Sequence, residues 1–252
     1  MGGNKCRIEQ NKCRMGVGKQ VARVDQVPLA TWKDLCIDTN GGEVLGRFWA
    51  AALGLRFEPD GDSGTLTGPT RQHRVWINTV PEPKTVKHRV HLDVHVDSVA
   101  ELVALGATRV QERSGLNSWT VMLDPEGGEF CAFVREQAPE QRLFEIVVDA
   151  ADPEPIATWW AAVFDGRLGG HADAGWWWVD SIEGAPFEAM SFVPVPEPKT
   201  VKNRIHWDVM VGSLDALVAA GATRLPRRDE ADTWHVLADP EGNEFCAFIP
   251  DD

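Results

Sequence analysis

The sequence predicts an α+β fold: two tandem copies of a roughly 110-residue domain, each containing two β-α-β-β-β modules. Three observations predict it. Long segments recur within the chain at constant spacing. Short alternating segments switch to helical spacing and back, four times over. Gly and Pro punctuate the switches.

The repeat is the strongest signal. Val80-Pro81-Glu82-Pro83-Lys84-Thr85-Val86-Lys87 returns as residues 195–202, and Asp124-Pro125-Glu126-Gly127 returns as residues 239–242. Between 80–133 and 195–248 no gap is needed, and about 33 of 54 aligned positions are identical. The front parts diverge more, yet Asp38 to Gly54 still aligns with Asp149 to Asp165. The domains are therefore read as 31–136 and 143–252, joined by a polar, Pro-containing linker at 137–142. Residues 1–30 fit neither copy and are expected to be a disordered tail. Its Cys6 and Cys13 are too few for a metal site by themselves.

In order along the first copy, residues 33–38 alternate polar and apolar, as in a half-buried strand. Val44, Leu45, Phe48, Trp49 and Ala52 follow at helical spacing, and Gly54 ends that helix. Residues 65–67 and 74–80 read as strands. The pattern then restarts with strict alternation over 90–96 and a short helix over 98–105, stopped by Gly106. Strands over 119–123 and 129–134 are joined by an Asp-Pro-Glu-Gly turn. In the second copy, Asp152-Pro153-Glu154 opens the corresponding first helix.

Composition narrows the function. A net charge of −13 argues against nucleic acid as a partner, since phosphate binding needs a basic face. No apolar run approaches a membrane span and no apolar core of a leader peptide follows the N-terminus. An odd count of five cysteines fits a reducing compartment, so a cytoplasmic protein is expected. Tyrosine is absent while there are eleven tryptophans, which favours an aromatic-lined ligand site.

Several of these residues resemble the vicinal oxygen chelate superfamily of glyoxalases, bleomycin-resistance proteins and extradiol dioxygenases. They are the Phe48-Trp49 helix closing on Leu53-Gly54, then His91 and Asp97, Leu105-Gly106-Ala107, and Asp124-Pro125-Glu126-Gly127-Gly128-Glu129-Phe130-Cys131. The resemblance implies paired modules whose mixed sheet curves into a cup, helices outside and ligand inside. It also implies, for the metal enzymes, one ligand on the first strand of each module and a Glu on the last. By that count His91 and His206 occupy first-strand positions, whereas Trp32 and Leu143 stand there in the opening modules. Cys131 and Cys246 take the last-strand positions, with Asn78 and Val193 in the opening modules; Glu129 and Glu244 fall two residues early. The set is incomplete, so no metal or other cofactor is expected, a divalent metal being the alternative.

Strand parity sorts the cup residues. His91, Asp93 and His95 share one face, as do His206, Asp208 and Met210, with Asp34 and Glu145 from the opening modules. Grouped by copy, one cup would hold Asp34, His91 and Asp93 and the other Glu145, His206 and Asp208, with Arg89 or Arg204 nearby to neutralise the acids. Trp176, Trp177 and Trp178 read as a stacking wall. The expected function is binding of a small, flat aromatic molecule in a Trp-lined cup, as in antibiotic sequestration or metabolite binding. The alternative is a glyoxalase-type lyase, isomerase or dioxygenase using a divalent metal or a His/Asp acid–base pair, with His91, Asp93, His206 and Asp208 as catalytic candidates. No membrane partner is expected; the chain would be a monomer with an internal pseudo-dimer, or a homodimer.

Overall fold

The computed structural model describes residues 27–113, 119–226 and 233–250. The tail reading of 1–26 lies outside the described residues. The first module comprises β1 (Ala30–Thr39), α1 (Gly42–Leu53), β2 (Arg56–Asp60), β3 (Ser63–Thr67) and β4 (Val75–Thr79). The second comprises β5 (Val90–Val96), α2 (Val99–Ala104), β6 (Thr108–Arg113), β7 (Trp119–Leu123) and β8 (Glu129–Val134). The third comprises β9 (Leu143–Ala150), α3 (Pro153–Phe164), β10 (Arg167–His171), β11 (Trp176–Asp180) and β12 (Ala189–Pro194). The fourth comprises β13 (Ile205–Val211), α4 (Leu214–Ala219), β14 (Thr223–Arg224), β15 (Trp234–Ala238) and β16 (Glu244–Phe248). A short 3-10 turn at Arg71–His73 leads into β4.

The sixteen strands form two eight-stranded mixed sheets, in the orders β14-β15-β16-β13-β1-β4-β3-β2 and β10-β11-β12-β9-β5-β8-β7-β6. Each sheet is centred on an antiparallel pair of first strands, β1 with β13 and β5 with β9. Module one therefore shares a sheet with module four, and module two with module three. This corrects the grouping of cup residues by copy. The physical reason is that β5 (Val-His-Leu-Asp-Val-His-Val) and β13 (Ile-His-Trp-Asp-Val-Met-Val) are near-equivalent partners for β1, so strand pattern alone does not choose between them.

The 80–89 and 195–204 loops lock the exchange. Arg89 Nη1 donates to the Glu197 carbonyl and Arg204 Nη1 donates to the Glu82 carbonyl, both at 2.7 Å. Lys87 pairs with Asp149 and Lys202 with Asp38. Arg89 and Arg204 are thus spent on the loops rather than on cup carboxylates.

The long helices sit outside the cups and between the sheets. α1 buries Leu45, Phe48 and Trp49, and Trp49 meets Phe130 of the other sheet edge-on, centroids 5.2 Å apart. α3 mirrors this: Trp160 packs on Trp207 and Phe245, each at 5.1 Å. Each such aliphatic or Phe side chain contributes about 1.5–3 kcal/mol by burial. The duplicated Asp-Pro-Glu-Gly turns tie modules together. The Glu126 carboxylate accepts from the Asn40 and Gly41 N–H groups at the start of α1, at 2.9 and 2.6 Å. Glu241 does the same for Ala151 and Asp152 ahead of α3. A carboxylate there satisfies unpaired donors and meets the positive end of the helix dipole. No helix among the described residues is long and apolar enough to cross a membrane.

Candidate functional site: two cups on one frame

His91 lies eight residues before the first residue of its helix, and so do His206, Asp34 and Glu145 in their modules. Asp34 and Glu145, rather than Trp32 and Leu143, are therefore the counterparts of the two histidines. Trp32 stands opposite Val209 and Leu143 opposite Val94, away from the cup face. On the last strands, Cys131 and Cys246 register with Asp93 and Asp208, while Trp76 registers with Cys36 and Ser191 with Val147. This moves the opening-module positions from Asn78 and Val193 to Trp76 and Ser191. Glu129 and Glu244 instead pair with Lys84 and Lys199 and anchor the loops.

Each opening strand carries a one-residue bulge, Lys33 in β1 and Phe144 in β9. A bulge reverses side-chain parity on its far side, and here it brings a residue type into each cup that alternation would have placed outside.

In the β1–β13 cup, Asp34 stands opposite Asp208 and Cys36 opposite His206. All four are buried, as is Cys246. Lys33 Nζ lies 2.8 Å from Asp34 Oδ2, 3.5 Å from Asp208 Oδ2 and 3.9 Å above the Phe248 ring. Cys36 Sγ donates to Asp208 Oδ1 at 3.5 Å. Burial, with Asp34 alongside, pushes the Asp208 carboxyl up to about 8. Burial holds the His206 imidazole at about 4, so it is neutral near pH 7.

In the β5–β9 cup, Asp93 stands opposite Glu145 and His91 opposite Val147. His91 Nε2 lies 3.5 Å from Asp93 Oδ1 and 3.8 Å from Cys131 Sγ. Ser191 Oγ donates to Glu145 Oε2 at 2.7 Å. Burial lowers His91 to about 3. Burial, and then Glu145, raises Asp93; burial raises Glu145. A neutral imidazole beside a carboxyl held above the usual range can exchange a proton with a polar ligand.

The walls of this second cup are aromatic. Trp178 registers with Ser191, which puts Trp176 and Trp178 on the cup face of β11. Their rings lie 5.0 Å apart, with His171 4.7 Å from Trp176. Trp177 points the other way and packs on the hydrophobic core, so it leaves the expected wall. Glycine makes room on both faces: a Cβ at Gly169 or Gly170 would lie 2.3 Å from the Trp178 or Trp177 ring. On the opposite flank Trp119 stacks on Phe133 at 6.0 Å. Phe144 lies over His95 at 4.3 Å, and Arg135 reaches His95 Nε2 at 2.9 Å.

The structure thus brings His91, Asp93 and Glu145 together with Trp176 and Trp178, and Asp34 together with His206 and Asp208. Sequence reasoning missed Lys33, Cys36 and Trp76 in one cup, and Trp119, Phe133, Phe144 and Ser191 in the other. Cys36 shares the parity of Asp34 and was open to recognition; Lys33 and Phe144 were not, because no local rule marks their bulge. A cavity of about 690 Å³ lies elsewhere, between the two duplicated loops.

Both cups fit a divalent metal by donor type. Cys36, His206 and Asp208 bring ligand atoms within 4.8 Å of one another, as do His91, Asp93 and Cys131. His206 Nδ1, His91 Nδ1 and Asp93 Oδ1 are buried with no hydrogen-bond partner.

A family profile of the glyoxalase-like domain matches the chain twice, over residues 34–133 and 145–248. No curated protein matches it. Among solved structures the chain is similar to glyoxalase I from Zea mays, at 11% identity and a TM-score of 0.61, over 86% of this chain and 92% of that one. It is also similar to a protein from Bacillus subtilis subsp. subtilis str. 168 whose assignment as a dioxygenase is provisional, at 10% identity and a TM-score of 0.60, over 89% and 86% of the two chains. Likeness at such identity speaks for the fold alone. With both halves of its sequence matched and two cupped mixed sheets in its structure, the chain belongs to the glyoxalase-like domain family, on the vicinal oxygen chelate fold.

Proposed function

We propose that the chain binds a small, flat aromatic molecule in the β5–β9 cup, holding it between Trp176/Trp178 and Trp119/Phe133 over a floor of His91, Asp93 and Glu145. The carrying observation is that Trp176, Trp119 and Phe133 are only partly buried although they lie on the cup face of β11, β7 and β8, with the buried Trp178 ring 5.0 Å behind Trp176. Partly exposed aromatic faces on two flanks of one concave sheet favour stacking of a planar ligand. The floor carries no positive charge: burial keeps His91 uncharged near pH 7, and burial with Glu145 alongside raises the Asp93 carboxyl above the ordinary carboxylate range. That favours a neutral or cationic ligand carrying hydrogen-bonding groups. Sequestration of a planar antibiotic or a metabolite is the use we assign to such a cup. Asp34, His206 and Asp208, the other expected ligand-binding residues, lie in the opposite cup and are not part of this site.

The test is calorimetric titration with a panel of flat aromatic compounds. Saturation at one ligand per chain, weakened at least tenfold (about 1.4 kcal/mol) by Trp178→Ala, is the expected result. Unchanged affinity in both Trp176→Ala and Trp178→Ala would remove the wall from the proposal.

One observation favours a second reading. The 3.5 Å approach of His91 to Asp93 pairs a base with an acid, as isomerisation by proton transfer requires. Turnover of a bound compound, abolished by His91→Gln with binding retained, would establish it.

A further inference from the structure

We propose that the cavity between the two duplicated loops, 80–89 and 195–204, is a second binding site for one small aliphatic carboxylate, its acid group on Arg89 and His88 and its chain against Val86 and Val201. The site lies outside both cups and does not rest on the aromatic ligand proposed above.

The cavity measures about 690 Å³, within the range of small-molecule sites. The loops that wall it are stiff. Each carries two prolines, which fix φ, and each is pinned by a lysine, Lys84 on Glu129 and Lys199 on Glu244. The apolar part of the wall is Val80, Pro83, Val86, Pro198 and Val201, with no Phe or Trp among the lining residues. An aliphatic body suits such a wall. Val86 and Val201 are 43% and 44% exposed, and Thr85 and Thr200 beside them are exposed as well. Packing within the chain does not explain why both copies keep this Thr-Val pair; a ligand touching both loops does.

Charge defines the other end of the ligand. Of the lining acids, Asp149 and Asp38 are neutralised by Lys87 and Lys202, while Glu82 and Glu197 are exposed. Arg204 lies 3.7 Å from Glu126. Arg89 instead donates to backbone carbonyls, those of Glu197 and Asp149, and forms no ion pair among the described residues. Its Nε is buried without a hydrogen-bond partner, and so are Nδ1 and Nε2 of the adjacent His88. Unmet groups of this kind are costly, and an acceptor-rich ligand relieves the donors among them. Burial holds the His88 imidazole at about 4, so near pH 7 it offers one N–H as a neutral donor. A carboxylate has two oxygens, enough to serve both residues.

The two loops differ only at His88, where Asn203 stands in the other copy. Asn203 is satisfied, because its amide donates to Asn243 Oδ1 at 3.0 Å. Gly128 occupies the place of Asn243 in the first copy and offers no such side chain. The unpartnered groups of the loops are thus confined to one of them, so one ligand per chain is expected rather than two.

The test is calorimetric titration of the full-length protein with sodium octanoate, with 1-octanol and inorganic phosphate as comparison probes. One octanoate per chain is expected, with 1-octanol and phosphate each at least tenfold weaker. The double variant His88→Asn/Gly128→Asn copies the satisfied pair into the first loop. It should weaken octanoate at least tenfold and keep the unfolding midpoint. Val86→Asp/Val201→Asp, at two exposed positions, should weaken it as much. Trp176→Ala should leave octanoate affinity within twofold. No heat of binding at millimolar octanoate overturns the proposal, as does equal affinity for 1-octanol or for phosphate. Affinity within twofold of wild type in either double variant also overturns it; should the first not fold, the Val86/Val201 variant decides. Loss of octanoate binding in Trp176→Ala would move the acid into the aromatic cup and overturn this site, leaving the reading of that cup untouched.

Discussion

Lys33 and Phe144 occupy the same bulge in the two cups, and much of what separates the cups follows from that exchange. Both closing modules contribute the same trio to their cups, His91, Asp93 and Cys131 or His206, Asp208 and Cys246. The opening modules supply nearly all the difference. One brings Lys33, Asp34, Cys36 and Trp76; the other brings Phe144, Glu145, Val147, Ser191 and Trp178. The comparison teaches that the well-preserved half of each repeat is a frame, and the diverged half specifies what each cup holds. Cross-pairing of the modules does not blur this, since each cup still receives one half of each kind.

The most forceful way to break the comparison is to remove the ammonium. Lys33→Met leaves two facing buried carboxyls without a cation, and should cost about 3–5 kcal/mol in urea unfolding. Phe144→Leu in the other cup should cost only about 1 kcal/mol. Adding Asp34→Asn to Lys33→Met should recover most of the loss. A loss below about 1 kcal/mol in Lys33→Met would mean that the ion pairs do not set the character of that cup.

The tryptophan run sharpens the comparison next. Trp177→Ala opens a core void and should cost about 3 kcal/mol while leaving ligand affinity within twofold. Trp176→Ala should do the reverse, with affinity down about tenfold and little change in the unfolding midpoint. The same pattern in both variants would contradict the assignment of opposite faces.

A third effect is pH-dependent. The His91 pKa falls from 6.5 to about 3 on folding, because burial disfavours the charged ring. Below pH 6.5 the unfolded chain binds a proton that the native ring refuses. The stability His91 contributes is thus fully present above 6.5 and is lost as pH falls toward the folded value. In metal-free protein, the stability of wild type relative to His91→Gln should drop by on the order of 2 kcal/mol between pH 7 and 4.5. A pH-independent difference in urea titrations would show that the ring ionises freely in the native state.

The smallest expected effect lies in the frame. Glu126→Gln weakens the carboxylate hold on the α1 N-terminus and should cost about 1 kcal/mol, with Glu241→Gln similar at α3. Thermal unfolding of the two variants checks the equivalence; a large asymmetry would show that the halves are not held alike.

Much of this was legible in the chain itself. Alternation over 90–96 and 205–211 put His91, Asp93, His206 and Asp208 on cup faces, and alternation across Trp176-Trp177-Trp178 split that run correctly. The helix ends followed from Gly54 and from Asp152-Pro153. Two things were not legible. The pairing of β1 with β13 depends on loop geometry, because β5 offers β1 almost the same strand. The bulges at Lys33 and Phe144 depend on register across strands far apart in sequence, and alternation counted along one strand cannot detect an inserted residue.

The most direct test of the central claim is ligand titration of matched variants, Trp178→Ala and Trp119→Ala in the β5–β9 cup against Trp234→Ala in the β1–β13 cup. Trp234 is the counterpart of Trp119 and stacks on Phe248 at the same 6.0 Å. The account predicts affinity for a flat aromatic compound at least tenfold weaker in the first two and unchanged in the third. Loss of affinity in Trp234→Ala, with Trp178→Ala and Trp119→Ala binding as wild type, would place the ligand in the other cup and contradict the division between them.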